Sequence, residues 1–302
     1  MKHMFHGKNI DIVQRLGRMQ PELSPKMAKL GSYISANYLK AAFMSTRELA
    51  AAAGVSPVTV VRFITLLGYS DFDSLRTAVQ ERVNFELSGV ERLKTLPAGK
   101  RTSATLLRRI IDADFESLNA LAHSFSEPQV EIFCEALRRS PRVTILGVRY
   151  VSPLAIYFAY ALSKIRDGVQ AFTQADSTLY DRVHMMDGGD VLVAIAFARY
   201  PADLLALARY AHQHKVRIMA ITDSPLSPVQ PLAEVALYAK CNLLDFVGSL
   251  AAPAALINLL VSHTGVRMGD AALKRLESYE DAASEAGIYL GARTGKKIKV
   301  KG

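Results

Sequence analysis

From Pro141 onward the chain keeps repeating one unit, a short run of β-branched and apolar residues followed by a helical stretch. The runs occupy 143–147, 169–172, 191–197, 216–222 and 235–239. Segments so short and so uniformly apolar are read as parallel strands covered on both faces. Strands alternating with helices predict a doubly wound α/β domain. Helices are expected from Ser152 and Ala202, with Ser227 and Pro228 capping another after the fourth run. Two more are expected over 246–263 and 270–286. The most apolar stretch, 247–261, is too short for a bilayer, which needs about 20 residues, and reads as a buried or intersubunit helix.

The first third has no such rhythm and is helical throughout. Ser45 with Glu48 forms an S-x-x-E capping box, and the alanines after Leu49 continue a helix that Gly54 stops. Ser56 caps again, and Pro57 takes the first helical position, where its missing amide costs nothing. Val60, Ile64 and Leu67 recur on one face before Gly68 ends the second helix. Two short helices around a glycine turn make a helix-turn-helix. Helices are also expected over 9–19, from Ser24-Pro25, and over 71–87.

With Val60, Ile64 and Leu67 inward, Ser56, Val58, Thr59 and Arg62 face out. A recognition helix reads DNA through its first turns. Ser56 and Thr59 are therefore expected at phosphates, fixing register, Arg62 at a guanine and Val58 at a thymine methyl, with Ser45, Thr46 and Pro57 also counted as DNA-binding. Residues 1–85 hold 11 Lys+Arg against 6 Asp+Glu, and the whole chain carries +9, both of which favour a polyanion.

The 302 residues suit two domains. Residues 1–87 are assigned to the all-α DNA-binding domain and 88–102 to a linker. The α/β domain takes 103–290, opening with a helical pattern through Leu106, Ile110, Phe115 and Leu118. Residues 291–302 make a basic tail expected to be disordered. Cys134 and Cys241 lie far apart and read as buried small hydrophobes in a reducing compartment. With a polar start and no apolar leader, a cytoplasmic protein is expected.

Ligands of such sheets bind beyond the carboxyl ends of the strands. Three loops meet that description, 147–152, 196–201 and 222–227, offering Gly147, Arg149, Ser152, Arg199, Tyr200, Asp223 and Ser224 to an effector. Two guanidiniums beside a helix opening at Ser152-Pro153 point to an anion. No G-x-G-x-x-G, no metal-ligand spacing and no Ser-His-Asp arrangement is present, so neither cofactor nor metal is expected. The three loops contain no His or Glu to serve as a base, which weighs against an isomerase, the competing reading.

The segment LAAAAGVSPVTVVRFITLLGYSDFDSLR resembles the L-A-x-x-x-G-V-S-x-x-T-V-x-R-F…L-G-Y/F motif of the RpiR family of bacterial transcriptional regulators. RVTILGVRYVSPLA, GGDVLVAIAF and VRIMAITDSPLSPV resemble that family's SIS (sugar isomerase) domain, and the resemblance runs over roughly 22–290. It implies a flavodoxin-like SIS domain and a homodimer or tetramer on palindromic double-stranded operators. It further implies control, as a repressor, of carbohydrate or polyol genes by a sugar phosphate. Two motifs depart from the family. Arg149 replaces the second glycine of G-x-G-x-S, with Ser152 displaced by one. Residues 196–201, AFARYP, replace S-x-S-G-x-T. A branch with a rebuilt pocket is expected, gripping an anionic sugar-derived effector through Arg149 and Arg199.

Overall fold

A computed structural model describes residues 16, 19, 23–42, 44–76, 78–79, 90, 102–225, 227–241 and 248–289. The expected linker, apart from Val90 and Thr102, lies outside them, as do the basic tail and most of the expected leading helix. The chain divides into two compact units, described separately below.

In the N-terminal unit the described helices are α1 (Pro25–Ala36), α2 (Tyr38–Ala41), α3 (Thr46–Ala53) and α4 (Pro57–Leu66). Residues 72–76 and 78–79 are also helical. Leu30, Ile34, Leu49, Val60, Phe63, Ile64 and Leu75 close a small core in which Phe63 is fully covered. Ser24 caps α1 by accepting from the Met27 amide, and Pro25 opens it.

Helix α5 (Ser103–Ser124) precedes α6 (Glu127–Arg139) and a five-stranded sheet. The strands are β1 (Val143–Leu146), β2 (Val169–Phe172), β3 (Val191–Ala196), β4 (Arg217–Thr222) and β5 (Val235–Tyr238). All pair parallel in the order β2-β1-β3-β4-β5. Alternate side chains serve opposite faces, as the pleat requires. Val191, Val193 and Ile195 join one core with α6, α7 (Ser152–Ser163) and α10 (Ala251–Met268). Leu192, Ala194 and Ala196 join the other with α8 (Ser177–His184) and α9 (Ala202–Gln213). Helix α11 (Asp270–Glu285) closes the described chain.

Buried charge fastens the centre of this sheet. Asp190, at the entry to β3, accepts from the Arg142 amide at 3.1 Å, from Arg142 Nε at 2.8 Å and from the Asp187 amide at 3.1 Å. Burial pushes its carboxyl up, but the bonds from Arg142 outweigh that and hold it below its ordinary value.

Two expectations fail locally. Among the described residues between β4 and β5 there is no α-helix, only a 3-10 turn at Gln230–Leu232. In a helix opened by Ser227 and Pro228, Pro231 would fall at the fourth position, where its missing amide removes the first helical bond. Ser152 does not cap α7 either. A 3-10 turn at Arg149–Val151 feeds straight into the helix, which leaves Ser152 already helical (φ −55°, ψ −35°) instead of extended. In the expected interface stretch, Ala252, Leu256, Ile257 and Leu260 of α10 face their own core.

Candidate DNA-binding and effector sites

The helix-turn-helix forms through local bonds. Ser45 Oγ accepts from the Glu48 amide at 3.3 Å, and Glu48 returns the bond by accepting from the Ser45 amide at 2.7 Å. These bonds hold the Glu48 carboxyl below its usual range. Gly54 takes the left-handed conformation (φ 62°, ψ 43°), and the Val55 amide closes on the Ala50 carbonyl at 2.9 Å. Helices α3 and α4 meet at a bend of 101°, within the range of such motifs.

On α4, Val58 (61% exposed) and Arg62 face solvent while Val60, Ile64 and Leu67 are buried. Thr46 and Thr59 are half-buried, and Pro57 is exposed. The Ser56 and Thr59 hydroxyls bond each other at 2.9 Å, and Ser56 Oγ also accepts from the Thr59 amide. Their first role is thus to close the cap. Two residues of the same face were missed: Val61, 56% exposed, and Thr65, whose hydroxyl donates to the Val61 carbonyl. Their spacing from Val58, three and seven residues on, was the available signal. Lys29 Nζ stands beside the turn, 2.8 Å from where a Cβ on Gly54 would lie.

The second site lies at the C-terminal edge of the sheet. The chain runs from β1 outward to β2 and returns on the far side of β1 to β3. The ligand crevice of an open α/β sheet lies at that reversal. Gly147 leaves β1 so close to α7 that an added Cβ would stand 3.0 Å from Ala155 Cβ and 3.1 Å from the Val151 carbonyl oxygen. Arg149 and Arg199 then follow β1 and β3 respectively, both exposed and both at positive φ, 59° and 64°. Lys215 is the one other non-glycine residue at positive φ among those described, and it ends α9, where that conformation is ordinary. Holding a side chain there costs roughly 1 kcal/mol or more and is found mainly where the surroundings require it.

Asp223, at the end of β4, is committed to the neighbouring loop. Its carboxylate accepts from the Ala198 amide at 2.9 Å and from Tyr200 Oη at 2.7 Å, which brackets Arg199 on both sides. Burial pushes this carboxyl up, and those bonds oppose the rise. Cys241, past the end of β5, is buried, and burial with the nearby Asp223 charge raises its thiol. The Tyr150 hydroxyl lies against that thiol, a neighbour that spacing in the sequence did not reveal. Ser152 is half-buried at the first turn of α7, and Ser224 is buried just after Asp223. Among the described residues no group of three His, Cys, Asp or Glu side chains could hold a metal ion, and no single helix is long and apolar enough to cross a membrane.

Comparison with known proteins matches residues 10–85 to a helix-turn-helix domain of the rpiR family and residues 136–262 to a SIS domain. Among solved structures, the sugar isomerase domain of an RpiR transcription factor from Sphaerobacter thermophilus is 25% identical. It covers 58% of this chain and 98% of its own, with a TM-score of 0.56. The NanR protein of Vibrio vulnificus, complexed with ManNAc-6P, is 17% identical over 91% of this chain and 99% of its own, with a TM-score of 0.57.

Proposed function

We propose that this RpiR-type transcriptional regulator, an rpiR-family helix-turn-helix domain followed by a SIS domain, binds palindromic operators as a homodimer and is controlled by an anionic sugar derivative. Two recognition helices must then meet half-sites about 34 Å apart or a multiple of that. A ligand with different affinities for the spaced and misspaced states shifts operator occupancy. The reading is that of a repressor of carbohydrate or polyol genes, without enzymatic turnover.

The observation that carries the effector assignment is the pair Arg149 and Arg199, each at positive φ beside the switch point. In this reading the pair replaces a hydroxyl cradle with two guanidiniums, which recognise a phosphate or carboxylate in bidentate fashion. Amides at the start of α7 add to that field. The sugar phosphate named for the NanR structure supplies the chemical class. Asp223 and Tyr200 serve chiefly to hold the Arg199 loop, with Gly147 and Ser152 completing the lining.

DNA binding is tested by titrating the protein against the fragment upstream of its own gene at several salt concentrations. Arg62→Ala should remove preference for that fragment over unrelated DNA, while loss of a phosphate contact lowers the salt slope by about one. Absence of binding at low salt to any such fragment contradicts the reading.

A further inference from the structure

Helix α4 has one charged residue among its ten, Arg62. At 3.6 residues per turn, Val58, Val61, Arg62 and Thr65 fall within about 100° of arc. They lie opposite the buried Val60, Phe63, Ile64 and Leu67. All four are exposed. An isolated exposed valine is ordinary. A pair of them at i and i+3, beside the one charge, has no cause in folding, because valine lowers helix propensity where packing returns nothing.

The hydroxyls around this face are already committed. Those of Ser56 and Thr59 bond each other at 2.9 Å, and Ser56 Oγ also accepts from the Thr59 amide. Thr65 donates its one hydroxyl proton to the Val61 carbonyl at 3.2 Å. Of the four outward side chains, Arg62 alone keeps donors to offer a base. The others present methyl groups, two each from Val58 and Val61 and one from Thr65. In the major groove thymine is the base that shows a methyl, and guanine shows the acceptor pair that a guanidinium matches.

We infer that α4 reads its operator half-site largely through thymine C5-methyl groups, set around one guanine held by Arg62. The inference rests on the DNA-binding reading above and names what that helix recognises. It adds Val61 and Thr65 to Val58 as specificity-determining residues. From Val58 to Thr65 the helix advances about 10 Å, the length of about three base-pair steps. Val58 and Val61, about 4.5 Å apart along the axis, then meet methyls on neighbouring base pairs, and Thr65 meets one further along. Such contacts displace no counterions, so their share of the affinity does not vary with salt, unlike that of phosphate contacts.

Fluorescence anisotropy of the full chain on the upstream fragment tests this, with the fragment made once with thymidine and once with deoxyuridine. The exchange removes the methyls and leaves the base-pairing edges in place. Each lost methyl contact is worth about fourfold, so the uracil fragment should bind about tenfold or more weakly, by the same factor at low and high salt. Val58→Ala/Val61→Ala should keep its helical content and melting temperature, bind the thymine fragment more weakly, and lose most of the uracil penalty. Thr65→Ser keeps the hydroxyl and removes the methyl, and should shrink the penalty in part. Equal binding of both fragments by the unchanged protein overturns the inference and leaves the regulator standing. A penalty that both variants retain in full overturns it too, since the methyls then act through the DNA alone. A fragment bound in neither form contradicts the DNA-binding reading itself, and the inference with it.

Discussion

Arg149 and Arg199 stand three residues beyond the ends of adjacent parallel strands, after Leu146 of β1 and Ala196 of β3, and both take the left-handed backbone conformation. Glycine enters that region freely, and arginine enters it at a cost. Here a side chain is kept where the backbone favours having none. Around Arg199 the cost is offset by Asp223, whose bonds to Ala198 and Tyr200 fix the loop from both sides.

Replacing either arginine by glycine separates backbone from charge. Arg149→Gly and Arg199→Gly should leave thermal stability unchanged or raise it by up to about 1 kcal/mol, since strain relief works against added unfolded-state entropy. Each should weaken binding of an anionic sugar about tenfold or more by calorimetry, the worth of one charge-assisted contact. Undiminished affinity in both variants removes the arginines from the site.

The capping box sets the stability of the DNA-binding unit. Ser45→Ala should cost about 1 kcal/mol in chemical denaturation. Gly54→Ala should cost a similar amount, about 1 kcal/mol, through its positive φ. The added Cβ meets only the end of the flexible Lys29 side chain, which can move away. A neutral Gly54→Ala would mean that the turn is not left-handed.

Asp190 makes the α/β unit sensitive to acid. Its folded-state carboxyl lies below the ordinary value, so its contribution is complete above about pH 4 and is lost as pH falls through the folded value. Asp190→Asn should destabilise by about 2–3 kcal/mol at neutral pH, leaving Arg142 short of its partner. The gap from the unchanged protein should narrow in acid. A constant gap from pH 7 to 3 on thermal melts would contradict this.

Tyr200→Phe tests the bracing of the effector loop. Losing the bond to Asp223 should cost about 1 kcal/mol of stability. Effector affinity should fall while the salt dependence of DNA binding stays as it was. A variant with unaltered affinity would reduce Tyr200 to packing.

Much of this architecture was legible because its causes are local. The capping box at Ser45, the left-handed Gly54 and the cap at Ser56 depend on neighbours within three or four residues. The apolar runs announce their strands because four of them are largely buried, with only the edge strand β2 half-exposed, and the structure moves their ends by a residue at most. Features set by distant neighbours were not legible. Arginine itself gives no backbone cue to positive φ at 149 and 199; the signal was that each replaces a glycine of the motif it resembles. Ser152 has the composition of a cap but follows a 3-10 turn. Ile110, Phe115 and Leu118 belong to a helical segment, yet periodicity cannot say that all three are exposed.

The central claim is that one protein couples operator binding to an anionic sugar through the two arginines. Its most direct test titrates sugar phosphates, with the matching uncharged sugars as controls, into the complex with upstream DNA. The comparison is between the unchanged protein and Arg149→Ala/Arg199→Ala. At least one sugar phosphate should shift DNA affinity about tenfold or more in the unchanged protein, with the uncharged sugar inert and the double variant unresponsive though still DNA-bound. An equal response from the double variant, or DNA affinity indifferent to every anionic sugar, would contradict the account.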